Sequence, residues 1–387
     1  MNNNDSIYRD LQRHLNRQAV GFPATRSKAE LAVLKHIFSP EQAKIAMGLT
    51  YKFQTLDAIY AHVGSQVDSI DRLEQSLDQM QKKGGLLSAY KNGIRQYCLV
   101  PLIVGMYELQ LNRLSPEFLK SFKAYTNTLT FSLEFLNTKR SQMRTIPVEK
   151  SISVRHHVLP YDHINQLLQQ AEPPFVIMEC LCRKKKEMEG FECSVTHRNE
   201  TCMAIGDMGQ SVLKSGIGRE ISRDEAATIL EQNQQEGLVL QPSNTEQVEF
   251  ICSCCGCCCG MLGMQKHLPE PLKFWESNYY AFVDAAACTG CGRCETRCQV
   301  AAIHANESQK MAIVDLKRCL GCGVCVVGCH KNAITLVRKE KFTCPPKTMQ
   351  ALYDDIRASR GGRLKKIELA GSIIVDAVRT RQRHLLK

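Results

Sequence analysis

One cysteine pattern occurs twice in this chain, and it constrains the fold more than any other feature. Cys288-Thr-Gly-Cys291-Gly-Arg-Cys294-Glu-Thr-Arg-Cys298 is followed by Cys319-Leu-Gly-Cys322-Gly-Val-Cys325-Val-Val-Gly-Cys329. Both read C-x2-C-x2-C-x3-C. A cubane iron–sulfur cluster needs four thiolates converging on one centre. A short glycine-containing loop can wrap three of them around it, with the fourth supplied from elsewhere in the fold. Zinc sites more often use two separated C-x2-C halves, so three cysteines at x2 spacing plus a fourth at x3, repeated, favour iron–sulfur clusters over zinc. Gly290, Gly292, Gly321 and Gly323 leave the backbone free to turn around a cluster and bring amides to its sulfurs.

This duplicated motif resembles the bacterial-type two-cluster [4Fe–4S] ferredoxins over about 60 residues. The resemblance implies crossed ligation. Cys288, Cys291, Cys294 and Cys329 would hold one cubane, and Cys319, Cys322, Cys325 and Cys298 the other. It also implies single-electron relay without substrate chemistry, because four thiolates saturate each cubane. The chain departs from the family at Gln299 and His330, which stand where a proline usually follows the fourth cysteine. With four cysteines available to each cluster, His330 reads as a neighbouring or surface group, not a ligand.

A second cysteine field lies upstream: Cys180, Cys182, Cys193 and Cys202, then Cys252, Cys254, Cys255, Cys257, Cys258 and Cys259. Cys180 and Cys182, read as two residues of one strand, would share a face and so share a metal. No single cubane can use all six cysteines of the tight 252–259 stretch, so some are expected to reach across to the 180–202 group. The ten together allow one or two further clusters, a zinc site, or redox-active thiols. Arg183-Lys-Lys-Lys186 either offsets thiolate charge or forms a solvated loop. The Cys-Cys-Gly element at 258–260 is similar to that of heterodisulfide-reductase cysteine-rich domains, whose long spacings are missing here, so none of that chemistry is carried over. Cys98 alternates with apolar neighbours and is expected in the core. Cys344 stands apart.

Composition fits intracellular metal binding. The 387 residues include 20 cysteines, none before Cys98, unlike the spread of a disulfide scaffold. The start, Met1-Asn-Asn-Asn-Asp-Ser, has no apolar segment of a secretory signal. The longest apolar stretch, Leu369 to Val378, contains Asp376 and is too short to span a bilayer. A cytoplasmic location is expected. The formal charge of +11 suggests nucleic acid at first sight. A cubane with four thiolates carries about −2, however, so metal sites would absorb much of that excess.

An α+β chain of four parts is expected: a helical, winged-helix-like domain (1–145), a cysteine-rich domain (146–275), a dicluster domain with short antiparallel strands (276–340), and a helical basic tail (341–387) broken at Gly361-Gly362. In the first part, helices over 40–48, 54–63 and 69–83 precede a hairpin, 86–90 and 94–100, turned at Asn92-Gly93. More helix is expected from about 103 to 137. In the second, a helix over 162–171, a strand from Phe175 to Cys180 and helical structure over 207–236 are expected, with Ser222-Arg-Asp-Glu225 matching a capping box. Short strands at 281–284, 302–305, 312–315 and 333–337 should bracket the cysteine loops.

The candidate recognition helix, Ser69 to Lys83, sets Asp71, Glu74 and Asp78 against Arg72, Lys82 and Lys83, and lacks the basic excess of a DNA reader. Arg379, Arg381, Arg383 and Lys387 read as a solvated helix end. The whole order, with Val158-Leu-Pro-Tyr before the cysteines, resembles uncharacterised ferredoxin-type iron–sulfur proteins of anaerobic bacteria. The resulting expectation is an electron carrier that docks redox partner proteins or pairs with a second copy. The alternatives are a redox-responsive DNA-binding regulator and an oxidoreductase subunit.

Overall fold

A computed structural model describes residues 3–151, 160–306 and 308–380. Val158 and Leu159, and the basic residues Arg381, Arg383 and Lys387, lie outside the described residues. The chain is mixed α and β, with small antiparallel sheets.

The first part contains α1 (Asn3–Leu15), α2 (Ala29–Ile37), α3 (Pro40–Ala46), β1 (Gln54–Thr55), α4 (Leu56–Val63), α5 (Ile70–Lys82), β2 (Leu86–Lys91) and β3 (Ile94–Leu99). Local chemistry explains the boundaries. Ser39 and Gln42 form a reciprocal capping box with Pro40 in the first turn of α3. Ser69 caps α5 by accepting the Arg72 N–H, and the stripe Leu73, Leu77 and Met80 is fully buried. Asn92 and Gly93 both take positive φ, as the two-residue hairpin turn requires. The three strands order as β1-β3-β2.

The helix expected within 103–137 is present as two separate helices. Ser115-Pro116 starts α6 (Pro116–Thr126) and Thr128 starts α7 (Leu129–Leu136), each oxygen capping a new N-terminus. Before them, Ile103, Val104 and Gly105 have non-helical backbone.

The cysteine-rich part runs α8 (Ile164–Gln170), β4 (Phe175–Glu179), α9 (Leu181–Met188), β5 (Glu200–Ile205), α10 (Gly206–Lys214), β6 (Gly218–Ile221), α11 (Arg223–Glu236), β7 (Val239–Pro242), β8 (Phe250–Cys254) and α12 (Gly260–Lys266). The strands form an antiparallel sheet in the order β6-β4-β5-β8-β7. Two expectations are corrected. The 207–236 helix is split: Gly216 takes φ +66 and frees residues 218–221 to pair with β4 as an edge strand, before Ser222 caps α11. Cys180 and Cys182 are not in a strand; Cys180 caps α9 and Cys182 lies in its first turn.

One sheet face (Phe175, Ile177, Met203, Ile205, Ile251) packs on α8 and α11. The other (Val176, Met178, Ala204) joins Met208 and Val212 of α10 in a core continuous with the first part of the chain. Across that junction Ser211 Oγ accepts the Ser88 N–H and donates to the Ser88 carbonyl.

The dicluster part comprises β9 (Tyr279–Val283), α13 (Arg293–Arg297), β10 (Ile303–Asn306), β11 (Met311–Val314), α14 (Val324–Val327) and β12 (Ile334–Arg338). β9 pairs with β12 and β10 with β11, both antiparallel. All four expected strands are present. The tail forms α15 (Met349–Ser359) and α16 (Arg363–Arg379) on either side of Gly361-Gly362. It is anchored: α15 buries Leu352, Tyr353 and Ile356, and Arg360 pairs with the buried Glu134. Arg379 is bound by Glu270 and Asp376, so it is not a free cation. α16 turns Leu364, Ile367, Ile374, Val375 and Val378 to solvent. No helix of the described residues is long and apolar enough to cross a membrane.

Candidate metal centres

The two repeated loops are shaped by glycine. Gly290, Gly292, Gly321 and Gly323 all take φ between +62° and +75°, and each second glycine caps the short helix that carries the third cysteine. Backbone amides reach the sulfurs across the strands. The Ala312 N–H donates to Cys288 Sγ at 3.4 Å, the Ala302 N–H to Cys298 Sγ at 3.2 Å and the Ala281 N–H to Cys319 Sγ at 3.3 Å. Such bonds stabilise negative charge on sulfur.

The loops differ in depth: Cys291 is exposed, whereas Cys319 is buried. Burial pushes the Cys322 thiol up to about 12, with the Cys298 and Cys319 thiols adding to the effect. Cys298 bears likewise on Cys319 and Cys325. The fourth cysteine of the first motif thus lies beside the second loop. His330 is exposed.

Residues 287–334 match the family model of a 4Fe-4S dicluster domain. No curated protein and no solved structure matches the chain. The dicluster domain accounts for eight cysteines, and the donor chemistry of its duplicated loops fits two iron–sulfur clusters.

The structure divides the other field into six and four. Antiparallel pairing of β5 with β8 matches Met203 to Ile251, so in the same register Cys202 falls opposite Cys252, with Cys254 two residues further along the same face. Cys180 and Cys259 cap α9 and α12, and Cys182 follows Cys180. The six thiols neighbour one another in a ring: Cys180 lies beside Cys182 and Cys202, Cys202 beside Cys252, Cys252 beside Cys254, Cys254 beside Cys259, and Cys259 beside Cys182. Hydrogen bonds from Cys182 and Cys202, helped by Arg183, hold Cys180 well below the ordinary thiol range. All six sulfurs are free thiols.

The remaining four form a second group. Cys193, from the loop between α9 and β5, meets Cys255, Cys257 and Cys258, and all four sulfurs lie within 4.8 Å of one another. Burial opposes the Cys257 thiolate, yet the Ser194 hydroxyl and amide, with the Cys255 and Cys193 thiols, bring it down to about 7. The 252–259 stretch therefore does reach across to the 180–202 group, but it does so toward two centres. Alternation explains the split: Cys252 and Cys254 point to one side of β8, and the turn at Gly256 sends Cys255, Cys257 and Cys258 to the other group.

Two residues connect these centres, and the sequence marked both without showing what they touch. Arg183 is 3 % exposed. Its guanidinium donates to the carbonyls of Arg198 and Ser253, while its Nε finds no hydrogen-bond partner among the described residues. Burial opposes its charge, but Cys180, Cys255, Cys202 and Cys193 together keep it protonated. A buried cation between two thiol groups, with one donor unspent, fits anionic metal–thiolate centres on both sides.

The second residue is Gln299, one of the departures from the ferredoxin pattern. Its Oε1 accepts the Gly256 N–H at 2.7 Å, and its Nε2 donates to the Arg297 carbonyl at 3.1 Å and the Gly237 carbonyl at 3.3 Å. A proline could make none of these bonds. Cys98 is buried core, as expected. Cys344 is exposed, 3.1 Å from the Tyr161 hydroxyl.

Proposed function

We propose that this chain is a cytoplasmic iron–sulfur electron-transfer protein that relays single electrons to or from an oxidoreductase partner. Cys288, Cys291, Cys294 and Cys329 hold one [4Fe–4S] cluster, and Cys319, Cys322, Cys325 and Cys298 hold the other. The carrying observation is the duplicated loop pair within the dicluster match, with Cys298 set against the second loop's thiols. Four thiolates per cubane leave no open iron, so the clusters carry charge and bind no substrate. The exposed Cys291 makes the first cluster the port for the partner. The six-thiol ring holds a third iron–sulfur centre, its charge offset by Arg183. The exposed apolar stripe of α16 serves partner docking.

The winged-helix-like reading of the first part is supported by its order of strand, two helices and hairpin, with the first strand beside the last. We read it as a docking and structural unit. Asp78 and Glu74 of α5 pair with Arg95 of the hairpin, and the Gln81 carbonyl at the end of α5 accepts a bond from Ser215, just past the end of α10. The helix a DNA reader would offer to phosphate carries no basic excess, and its Glu74 and Asp78 are already engaged by Arg95.

Anaerobic stopped-flow reduction by a ferredoxin-type donor tests this reading. Bleaching of the holoprotein at catalytically useful rates, with no sequence-specific gel shift in either redox state, is expected. A shift confined to one redox state would establish the regulator instead.

A further inference from the structure

The four-cysteine group differs from a cubane site in scale. Cys193 Sγ lies 3.6 Å from the sulfurs of both Cys255 and Cys257, and Cys257 Sγ lies 3.7 Å from that of Cys258. A tetrahedral zinc ion with Zn–S bonds of about 2.3 Å sets its sulfurs about 3.8 Å apart. The thiolates of a cubane stand outside a four-iron tetrahedron, about 6 Å apart. The observed edges match one ion. Among the described residues, no set of dicluster cysteines has its sulfurs converging within 4.8 Å as this group does.

The surroundings give such an ion a purpose. The segment 189–199 has no helix or strand, and Phe191, Glu192, Ser194 and His197 face solvent. Among the described residues, the buried apolar cluster it joins is a small satellite core of Leu238, Cys255 and Cys258 with Cys193, Val195 and Cys257. So small a core cannot order a loop by burial alone, which is the situation structural zinc answers. Ser194 bonds the Cys257 sulfur, and the Cys258 N–H bonds that of Cys255, supplying the outer hydrogen bonds of a thiolate site. Gly256, between two of the four cysteines, is the residue that Gln299 grips.

We propose that Cys193, Cys255, Cys257 and Cys258 bind one zinc ion in a closed tetrahedral site that staples the 189–199 loop to the Cys255–Cys258 turn and, through Gly256 and Gln299, holds the dicluster domain against the cysteine-rich domain. Four thiolates leave no position for substrate, so the site is structural. The inference does not rest on the electron-transfer reading, since zinc and iron are counted separately.

Full-length protein purified anaerobically from medium supplied with both metals tests it. One zinc per chain is expected, with a zinc-edge X-ray absorption spectrum of four sulfurs at about 2.3 Å. The double variant Cys193→Ala/Cys258→Ala should lose that zinc, keep its iron, and become sensitive to protease within 189–199. Absence of zinc from the wild type, nitrogen or oxygen in its first coordination shell, or loss of iron in place of zinc from the double variant would each overturn the proposal. Should the variant fail to fold, the wild-type zinc content and edge spectrum decide the matter.

Discussion

Replacing Gly321 by alanine isolates what the loop geometry demands. Gly321 has φ +62, and a Cβ there would sit 2.2 Å from the Tyr279 carbonyl oxygen and 2.4 Å from its carbon. Ordinary contact begins at 3.4 Å, so about 1.2 Å of backbone movement is required. Tyr279 cannot yield readily, being paired with Arg338 in the β9–β12 ribbon. The left-handed conformation alone costs an alanine about 1 kcal/mol. With the displaced backbone the total reaches about 3 kcal/mol or more, the upper range for a single substitution and roughly a hundredfold in an equilibrium.

Gly292→Ala is the control. Gly292 has φ +75, but its nearest neighbour, Ala305 Cβ, lies 3.9 Å from the added atom. Only the conformational cost of about 1 kcal/mol applies there. Denaturant unfolding and iron per chain, read beside the electron paramagnetic resonance of dithionite-reduced protein, give the assay. Gly321→Ala should lose the second cluster's iron and signal while Gly292→Ala keeps both. Equal, mild effects of the two substitutions would refute the packing argument.

Gln299→Ala removes the acceptor of the Gly256 N–H and should lower unfolding free energy by about 1–2 kcal/mol with dicluster iron retained, as urea titration would show. Arg183→Met leaves two thiolate groups without their shared cation; destabilisation of about 3–5 kcal/mol and loss of iron beyond the dicluster content are expected, measured by unfolding and metal analysis. Glu249 is pushed up to about 7 by burial and then by Asp207, so the folded state holds its proton more tightly than the unfolded chain. Stability should therefore fall as pH rises from about 4.5 to 7, by about 1–3 kcal/mol for this half-buried group. Glu249→Gln should flatten that slope and leave the variant the more stable protein at pH 8, as unfolding titrations across the range would reveal.

The parts of this molecule legible from sequence are those fixed locally. Asn92-Gly93 dictates its own turn, Ser39-Pro40 and Ser69 start their helices, and the dicluster strands follow from the spacing of the two loops. Within 103–137 the division into separate helices follows the local caps at Ser115 and Thr128. The strand 218–221 was hidden because it borrows its partner from β4, 40 or more positions earlier (178 pairs with 218 and 175 with 221). The division of the upstream cysteines depends on the same long-range information. Only the β5–β8 pairing sets Cys202 by Cys252, and only the excursion of the 189–199 loop brings Cys193 to Cys257. Gln299 was visible as a departure from pattern, but its partner Gly256 was not.

Iron and acid-labile sulfide per chain, counted on protein purified without oxygen and paired with the resonance spectrum of its reduced form, test the central claim most directly. Two cubanes in the dicluster domain require about eight of each, with signals of reduced [4Fe–4S] clusters, and the third centre raises the count further. Colourless protein with fewer than about four iron per chain, or zinc in the Cys288–Cys329 loops, would contradict the account.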